Sequence, residues 1–163
     1  LPATPTAQIK TPDGDKLPAT LPPSGRGETI LVVEDEPSVR ELARTALEQG
    51  GYRVLEAADA NQALQVWRKA AAQIAVLITD MVLPNGMGGG KLAQLLRERD
   101  PQLQVICISG YGSEPLKEDM PASLAPGVNF LSKPFDPNAL LKAVKALLDR
   151  TETARSNSRL ALV

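Results

Sequence analysis

Four apolar runs in this chain each end in a group that can handle a charged oxygen. Ile30-Leu-Val-Val33 ends in Glu34-Asp35-Glu36, and Ile74-Ala-Val-Leu-Ile-Thr79 ends in Asp80. Val105-Ile-Cys-Ile108 ends in Ser109-Gly110, and Val128-Asn-Phe-Leu131 ends in Ser132-Lys133-Pro134. Were Glu34, Asp35 and Asp80 to meet, each like-charged pair at about 4 Å would cost about 4 kcal/mol at an effective dielectric near 20. Such a trio either binds protons more tightly or gathers round a hard cation, and oxygen donors suit Mg²⁺ or Mn²⁺. A cation, the Lys133 ammonium and the Ser109 hydroxyl around one aspartate make a site for a phosphoryl group. Asp80 would be the nucleophile and an aspartyl-phosphate the product.

For these groups to meet, the runs must be parallel strands with their carboxyl ends on one edge. The pattern between the runs supports this. Residues 29–34 read as a strand buried on both faces. Pro37 suits a first helical position, and Val39, Leu42, Ala43 and Ala46 recur at helical spacing until Gly50-Gly51. A strand over 52–57 precedes a helix over 60–71 whose inner face carries Ala63, Leu64 and Trp67. A third strand over 74–79, a glycine-rich loop over 84–90 and a helix with Leu92, Leu95 and Leu96 follow. Strands over 104–109 and 128–131 come next. Asp136-Pro137 then caps a last helix with the stripe Leu140, Leu141, Val144, Leu147 and Leu148. Between the fourth and fifth strands, Pro115, Pro121 and Pro126 leave room for a helix of two or three turns within 114–124. Five strands alternating with helices predict an α/β fold, a doubly wound five-stranded parallel sheet with helices on both faces. Ligands of such sheets sit at the carboxyl edge, near the reversal of strand order.

Composition narrows the function. The chain has 163 residues and a net charge of −1, which gives no broad basic surface for direct nucleic-acid binding. No apolar run approaches the ~20 residues of a membrane span. There is no histidine, so histidine catalysis and histidine-ligated metals are excluded. Cys107 is the single cysteine and falls in a strand, where a buried inert thiol is expected; it fits a reducing, cytoplasmic setting. Residues 1–27 hold six of the fourteen prolines and read as a flexible linker, residues 28–150 as the folded domain, and residues 151–163 as a mobile tail.

Residues 28–150 resemble the receiver domain of two-component response regulators. The matching stretches are Ile30-Leu-Val-Val-Glu-Asp-Glu36, Leu77-Ile-Thr-Asp80-Met-Val-Leu-Pro84, Ile108-Ser109-Gly110-Tyr111 and Leu131-Ser-Lys133-Pro134-Phe135. The resemblance implies a flavodoxin-like strand order, 2-1-3-4-5. It implies that Asp80 accepts a phosphoryl group from a histidine kinase or histidine phosphotransfer protein. Glu34, Asp35, Asp80 and the backbone carbonyl of Val82 would hold the metal. Lys133 would pair with the phosphoryl group, Ser109 and Phe130 would be the switch residues, and Lys133-Pro134 would be a cis peptide. A homodimer through the fourth helix, fifth strand and fifth helix is a candidate assembly. The linker before the domain and the short tail behind it resemble the layout of a hybrid sensor histidine kinase that ends in a receiver, with a single-domain regulator as the alternative.

Several residues depart from the usual pattern or admit another role. Glu34 stands where an aspartate is common. Val82 offers no polar side chain to orient water, and Tyr111 is bulky, so slow self-dephosphorylation is expected. Phe130 is equally well read as core. Asn85-Gly-Met-Gly-Gly-Gly90 is expected to be mobile. Two rival functions remain: a receiver-like binding module that is never phosphorylated, and a haloacid-dehalogenase-like Mg²⁺ phosphatase. The second wants an acid where Val82 stands.

Overall fold

The computed structural model describes residues 25–110 and 128–161. Strand β1 (Thr29–Val33) leads into helix α1 (Pro37–Gln49), and β2 (Arg53–Ala57) into α2 (Ala60–Ala70). A 3-10 turn (Ala71–Gln73) precedes β3 (Ile74–Asp80), followed by α3 (Gly89–Arg99), β4 (Gln104–Ser109), β5 (Val128–Ser132) and α4 (Pro137–Ala161). The strands form one parallel sheet in the order β2-β1-β3-β4-β5, as the sequence and the resemblance led us to expect. The reversal of order falls between β1 and β3, so Glu34, Asp35 and Asp80 flank it.

The near-continuous apolar strands are explained by a core on each face of the sheet. Leu31, Val33, Leu77, Val105 and Cys107 point to one side, against Ala63 and Trp67 of α2 and Leu92, Ala93 and Leu96 of α3. Ile30, Val32, Val76, Ile78, Ile106 and Ile108 point to the other, against Ala43 and Leu47 of α1 and Leu140, Val144 and Leu147 of α4. Successive residues of β1 thus serve opposite cores. Burying one such aliphatic side chain contributes about 1.5–3 kcal/mol, so the central strands are pinned in register from both sides. Trp67 packs in the core as expected, and Cys107 is buried.

Helix ends match the chemistry of their sequences. Pro37 opens α1, Asp59 caps α2 by accepting from the Gln62 N–H at 2.8 Å, and Asp136 accepts from the Asn138 N–H at 2.7 Å at the start of α4.

Some expectations need correcting. Leu42, expected on the inner stripe of α1, is 43% exposed, and Leu47 takes the core position. The last helix does not stop near residue 150: α4 continues to Ala161, over residues read from sequence as a tail. Its polar composition hid the extension, because no apolar stripe marks it. At the other end, the linker assigned to residues 1–27 is ordered against the domain by Gly25, where the Gly25 N–H donates to the Gly50 carbonyl at 2.8 Å and the Gly27 N–H to Gly51 at 3.1 Å. The rest of that linker, the helix expected within 114–124 and Tyr111 lie outside the described residues.

Candidate functional site

The carboxyl edge of the sheet gathers what the sequence scattered over a hundred residues. Asp80, the last residue of β3, is buried, and its Oδ1 accepts from the Val82 N–H at 2.9 Å. Its Oδ2 lies 2.6 Å from the Nζ of Lys133, which follows β5. The same ammonium is 2.9 Å from Oε2 of Glu34. Asp35 is exposed, yet carboxylate oxygens of Glu34, Asp35 and Asp80 all lie within 4.8 Å of one another. Ser109 ends β4 and is buried, and its carbonyl accepts from the Lys133 N–H at 2.7 Å, which fixes the lysine's backbone to the neighbouring strand. The Lys133-Pro134 peptide is cis.

Glu34 carries the main electrostatic tension. Burial pushes its carboxyl above the ordinary range and the Asp80 charge adds to this, while the Lys133 ammonium and the Glu36 N–H pull it only partly back. Oε1 of Glu34 accepts from the Glu36 N–H at 3.0 Å. Oε2 is buried and has only the ion pair with Lys133, with no well-directed hydrogen bond. For Lys133, burial alone would lower the ammonium, but its bonds to Asp80 and Glu34 outweigh that and leave it raised. One ammonium therefore pairs with two carboxylates of a three-acid cluster. An under-satisfied buried oxygen within an all-oxygen donor set is the chemistry of a hard divalent cation site.

Two residues that the sequence reading passed over shape the surroundings of Asp80. The Thr79 hydroxyl, fully buried, donates to the Asp80 carbonyl at 3.0 Å. Gly89, at the start of α3, lies so near that carbonyl that any side chain there would collide with it, and donates its own N–H to the Met81 carbonyl at 3.0 Å. The glycine-rich loop expected to be mobile is thus also a close-packing device. It turns through Asn85 and Gly86, both at positive φ, and Asn85 Nδ2 donates to the α2 cap Asp59 at 3.0 Å.

The switch candidates differ. Ser109 belongs to the edge that holds Asp80 and Lys133. Phe130 pairs in register with Cys107 on the same face of the sheet, but it is 50% exposed and so is not the core residue that one reading made it. Val82 is also exposed, at the mouth of the site.

Fold and site together define a flavodoxin-like domain with an acid and lysine cluster at its topological switch point. The model of the response regulator receiver domain matches residues 30–145. Among curated proteins, the chain is 35% identical over 124 residues to the sensor kinase CckA of Brucella abortus, covering 76% of this chain and 13% of the kinase. It is 36% identical over 128 residues to the phosphate regulon transcriptional regulatory protein PhoB of Pseudomonas aeruginosa, covering 77% of this chain and 53% of that regulator. A receiver domain structure from Clostridium thermocellum superposes with a TM-score of 0.69 at 25% identity, over 77% of this chain and 98% of the other. The chain belongs to the response regulator receiver domain family. Its function class is phosphoacceptor signalling in two-component systems. It spans about one eighth of the kinase and about half of the regulator.

Proposed function

We propose that Asp80 is the phosphoacceptor, and that residues 28–150 take a phosphoryl group from a histidine kinase or a histidine phosphotransfer protein. The observation that carries this reading is the position of Asp80: buried at the carboxyl edge, 2.6 Å from Lys133, with two further carboxylates within 4.8 Å.

Glu34, Asp35, Asp80 and the Val82 carbonyl would hold Mg²⁺ or Mn²⁺, which when bound supplies charge neutralisation for an incoming phosphoryl group. The chain's own groups do the rest. The Val82 N–H holds Oδ1 of Asp80 and so orients the carboxylate plane. One carboxylate oxygen forms the new O–P bond as the P–N bond to the donor imidazole breaks. The electron pair goes to the imidazole nitrogen, which picks up a proton from solvent. Lys133, already raised and so cationic at neutral pH, exchanges its carboxylate partner for a phosphoryl oxygen. Ser109 and Phe130 respond to the new charge of about −2, and the domain shifts between two conformations. A shift from 1:99 to 99:1 requires about 5.5 kcal/mol of preference, within reach of several charge-assisted bonds in a partly buried site.

The donor has a surface to meet. A cleft of about 370 Å³ beside Lys133 is lined by Val39, exposed Leu42, Pro134 and Phe135, and apolar side chains of a donor helix would pack there. The likeness to a sensor kinase supports a hybrid histidine kinase as the parent protein and a cytoplasmic location; no described helix is long and apolar enough to cross a membrane. A homodimer through β5, α4 and the fourth helix expected from sequence, which lies outside the described residues, is part of the same proposal. The chemistry is self-catalysed transfer and hydrolysis, with no separate substrate turned over.

The test is intact mass after incubation with acetyl phosphate and Mg²⁺, with Asp80→Asn and EDTA controls. A gain of one phosphoryl group, absent in both controls, is expected. No gain in a folded, Mg²⁺-binding protein would favour the unphosphorylated binding module.

A further inference from the structure

The structure assigns Arg40, on the first turn of α1, as a positioning residue that holds the acid turn in its metal-ready shape. The inference rests on the function proposed above and concerns how its acid cluster is kept in place. Long side chains on a helix lean toward its N-terminus. That of Arg40 folds back along α1, and its Nη1 donates to the Glu34 carbonyl at 2.7 Å. Its Nε faces Glu56 Oε1 at 3.6 Å, near the end of β2, and Glu56 is also 3.9 Å from Arg44 Nη1. Glu56 thus gives the Arg40 guanidinium a second anionic partner.

The consequence lies in what surrounds Glu34. Its N–H donates to the Ala57 carbonyl at 3.0 Å, and Oε1 accepts from the Glu36 N–H at 3.0 Å. Its carbonyl is taken by Arg40. Strand β2, helix α1 and the turn itself each satisfy one polar group, and only Oε2 is left toward Lys133. The Glu34 carbonyl belongs to the peptide that leads into Asp35. Asp35 is exposed, so its carboxylate depends chiefly on this backbone for its position. Without the guanidinium, the carbonyl would turn to water and the peptide would gain freedom, at a cost in ordering whenever the cluster closes on a cation.

The sign of the effect separates positioning from simple charge. Arg40 is a cation beside an acid cluster. If it acted only through its charge, removing it would make the cluster more negative and Mg²⁺ would bind more tightly. Positioning demands the opposite. Outer-shell partners of metal ligands typically contribute about 10–100-fold in metal affinity.

The experiment is calorimetric titration of Mg²⁺ into the wild-type chain, Arg40→Met, Arg40→Lys and Arg44→Ala, with thermal melts of each. Arg40→Met keeps the apolar stem and loses the guanidinium; its Mg²⁺ affinity is expected to fall about tenfold. Arg40→Lys keeps the charge and one donor, and should fall between. Arg44→Ala removes an equal charge that also faces Glu56 but touches no atom of Glu34; its affinity should stay within about twofold of wild type. With acetyl phosphate, Arg40→Met should need more Mg²⁺ for half-maximal labelling yet reach the wild-type rate at saturation. Unchanged or tighter Mg²⁺ binding in Arg40→Met would overturn the assignment, as would equal losses in Arg40→Met and Arg44→Ala. Were Arg40→Met to misfold, Arg40→Lys alone decides: wild-type affinity there overturns the role. If the wild-type chain itself binds no Mg²⁺, the metal reading fails first. Equal affinity in wild type and Arg40→Met sinks only the positioning role.

Discussion

Gly89 rests against the carbonyl of Asp80 so closely that a methyl group there would overlap the peptide and crowd the Thr79 hydroxyl. A helix N-terminus is thereby set directly behind the proposed phosphoacceptor. Alanine would ordinarily favour a helix by about 0.5–1 kcal/mol over glycine. Here the overlap is with backbone, which cannot rotate away, and overpacking of this kind costs about 1–3 kcal/mol. Gly89→Ala is therefore expected to lower the urea midpoint with an unchanged slope, and to slow labelling of Asp80 by displacing its peptide. A raised midpoint would mean that the start of α3 moves aside freely.

Cys107 tests the two-faced core. Its thiol is fully buried between β3 and β5, and burial pushes its pKa up to about 12. Native protein at pH 8 should resist iodoacetamide, and urea should open the site to alkylation. The linkage has a definite sign. The folded thiol holds its proton more tightly than the unfolded one, whose ordinary value is 9.0, so its contribution is fully present below pH 9 and is lost as pH rises toward 12. Cys107→Ala should flatten that alkaline decline in urea stability while costing some core packing. Fast alkylation of the folded protein, or an identical pH profile in the variant, would show that β4 opens readily.

The fold was legible because its strands are apolar on both faces and the segments between them repeat at helical spacing. The site was legible for a related reason. In a parallel sheet each strand's carboxyl end reaches the same edge, so Glu34, Asp35, Asp80, Ser109 and Lys133 had to converge once the strands were placed. What sequence did not reveal follows equally physical lines. Arg40 sits six residues past Glu34 and looks like a solvated helix position, and only the backward lean of its side chain connects the two. Gly89 looked like flexibility, because close approach between a helix start and a strand end leaves no periodic trace. Leu42 fits the spacing of the α1 stripe, yet it is exposed and Leu47 is buried, because apolar spacing alone does not fix where the edge of the buried face falls. The extension of α4 to Ala161 lacks apolar spacing altogether.

Val82 bears on how long the signal lasts. Its side chain is exposed beside Asp80 and has no polar atom to hold an attacking water. The phosphorylated form should therefore decay over minutes or longer at neutral pH, and Val82→Gln should shorten its lifetime severalfold. Decay within seconds in the wild-type chain, followed by intact mass after removal of acetyl phosphate, would contradict this.

Lys133 makes the sharpest separation between holding a cation and using a phosphoryl group. It is the ion-pair partner of both Glu34 and Asp80, at 2.9 Å and 2.6 Å. Lys133→Met keeps an unbranched stem and removes the charge. The remaining carboxylates then repel without compensation, so the metal-free variant should melt below wild type. The same excess of negative charge should draw Mg²⁺ in, with an affinity raised about tenfold, because a unit charge a few ångströms away contributes on the order of a few kcal/mol before solvent screening. Mg²⁺ should accordingly raise the melting temperature of the variant more than that of wild type. Labelling by acetyl phosphate should nevertheless fall sharply, since no ammonium remains to pair with the incoming phosphoryl oxygens. Tighter metal binding together with lost labelling would assign Lys133 to the phosphoryl group. Weaker metal binding would instead mean that the lysine orders the acid cluster, and the division of roles between Lys133 and the carboxylates would have to be redrawn.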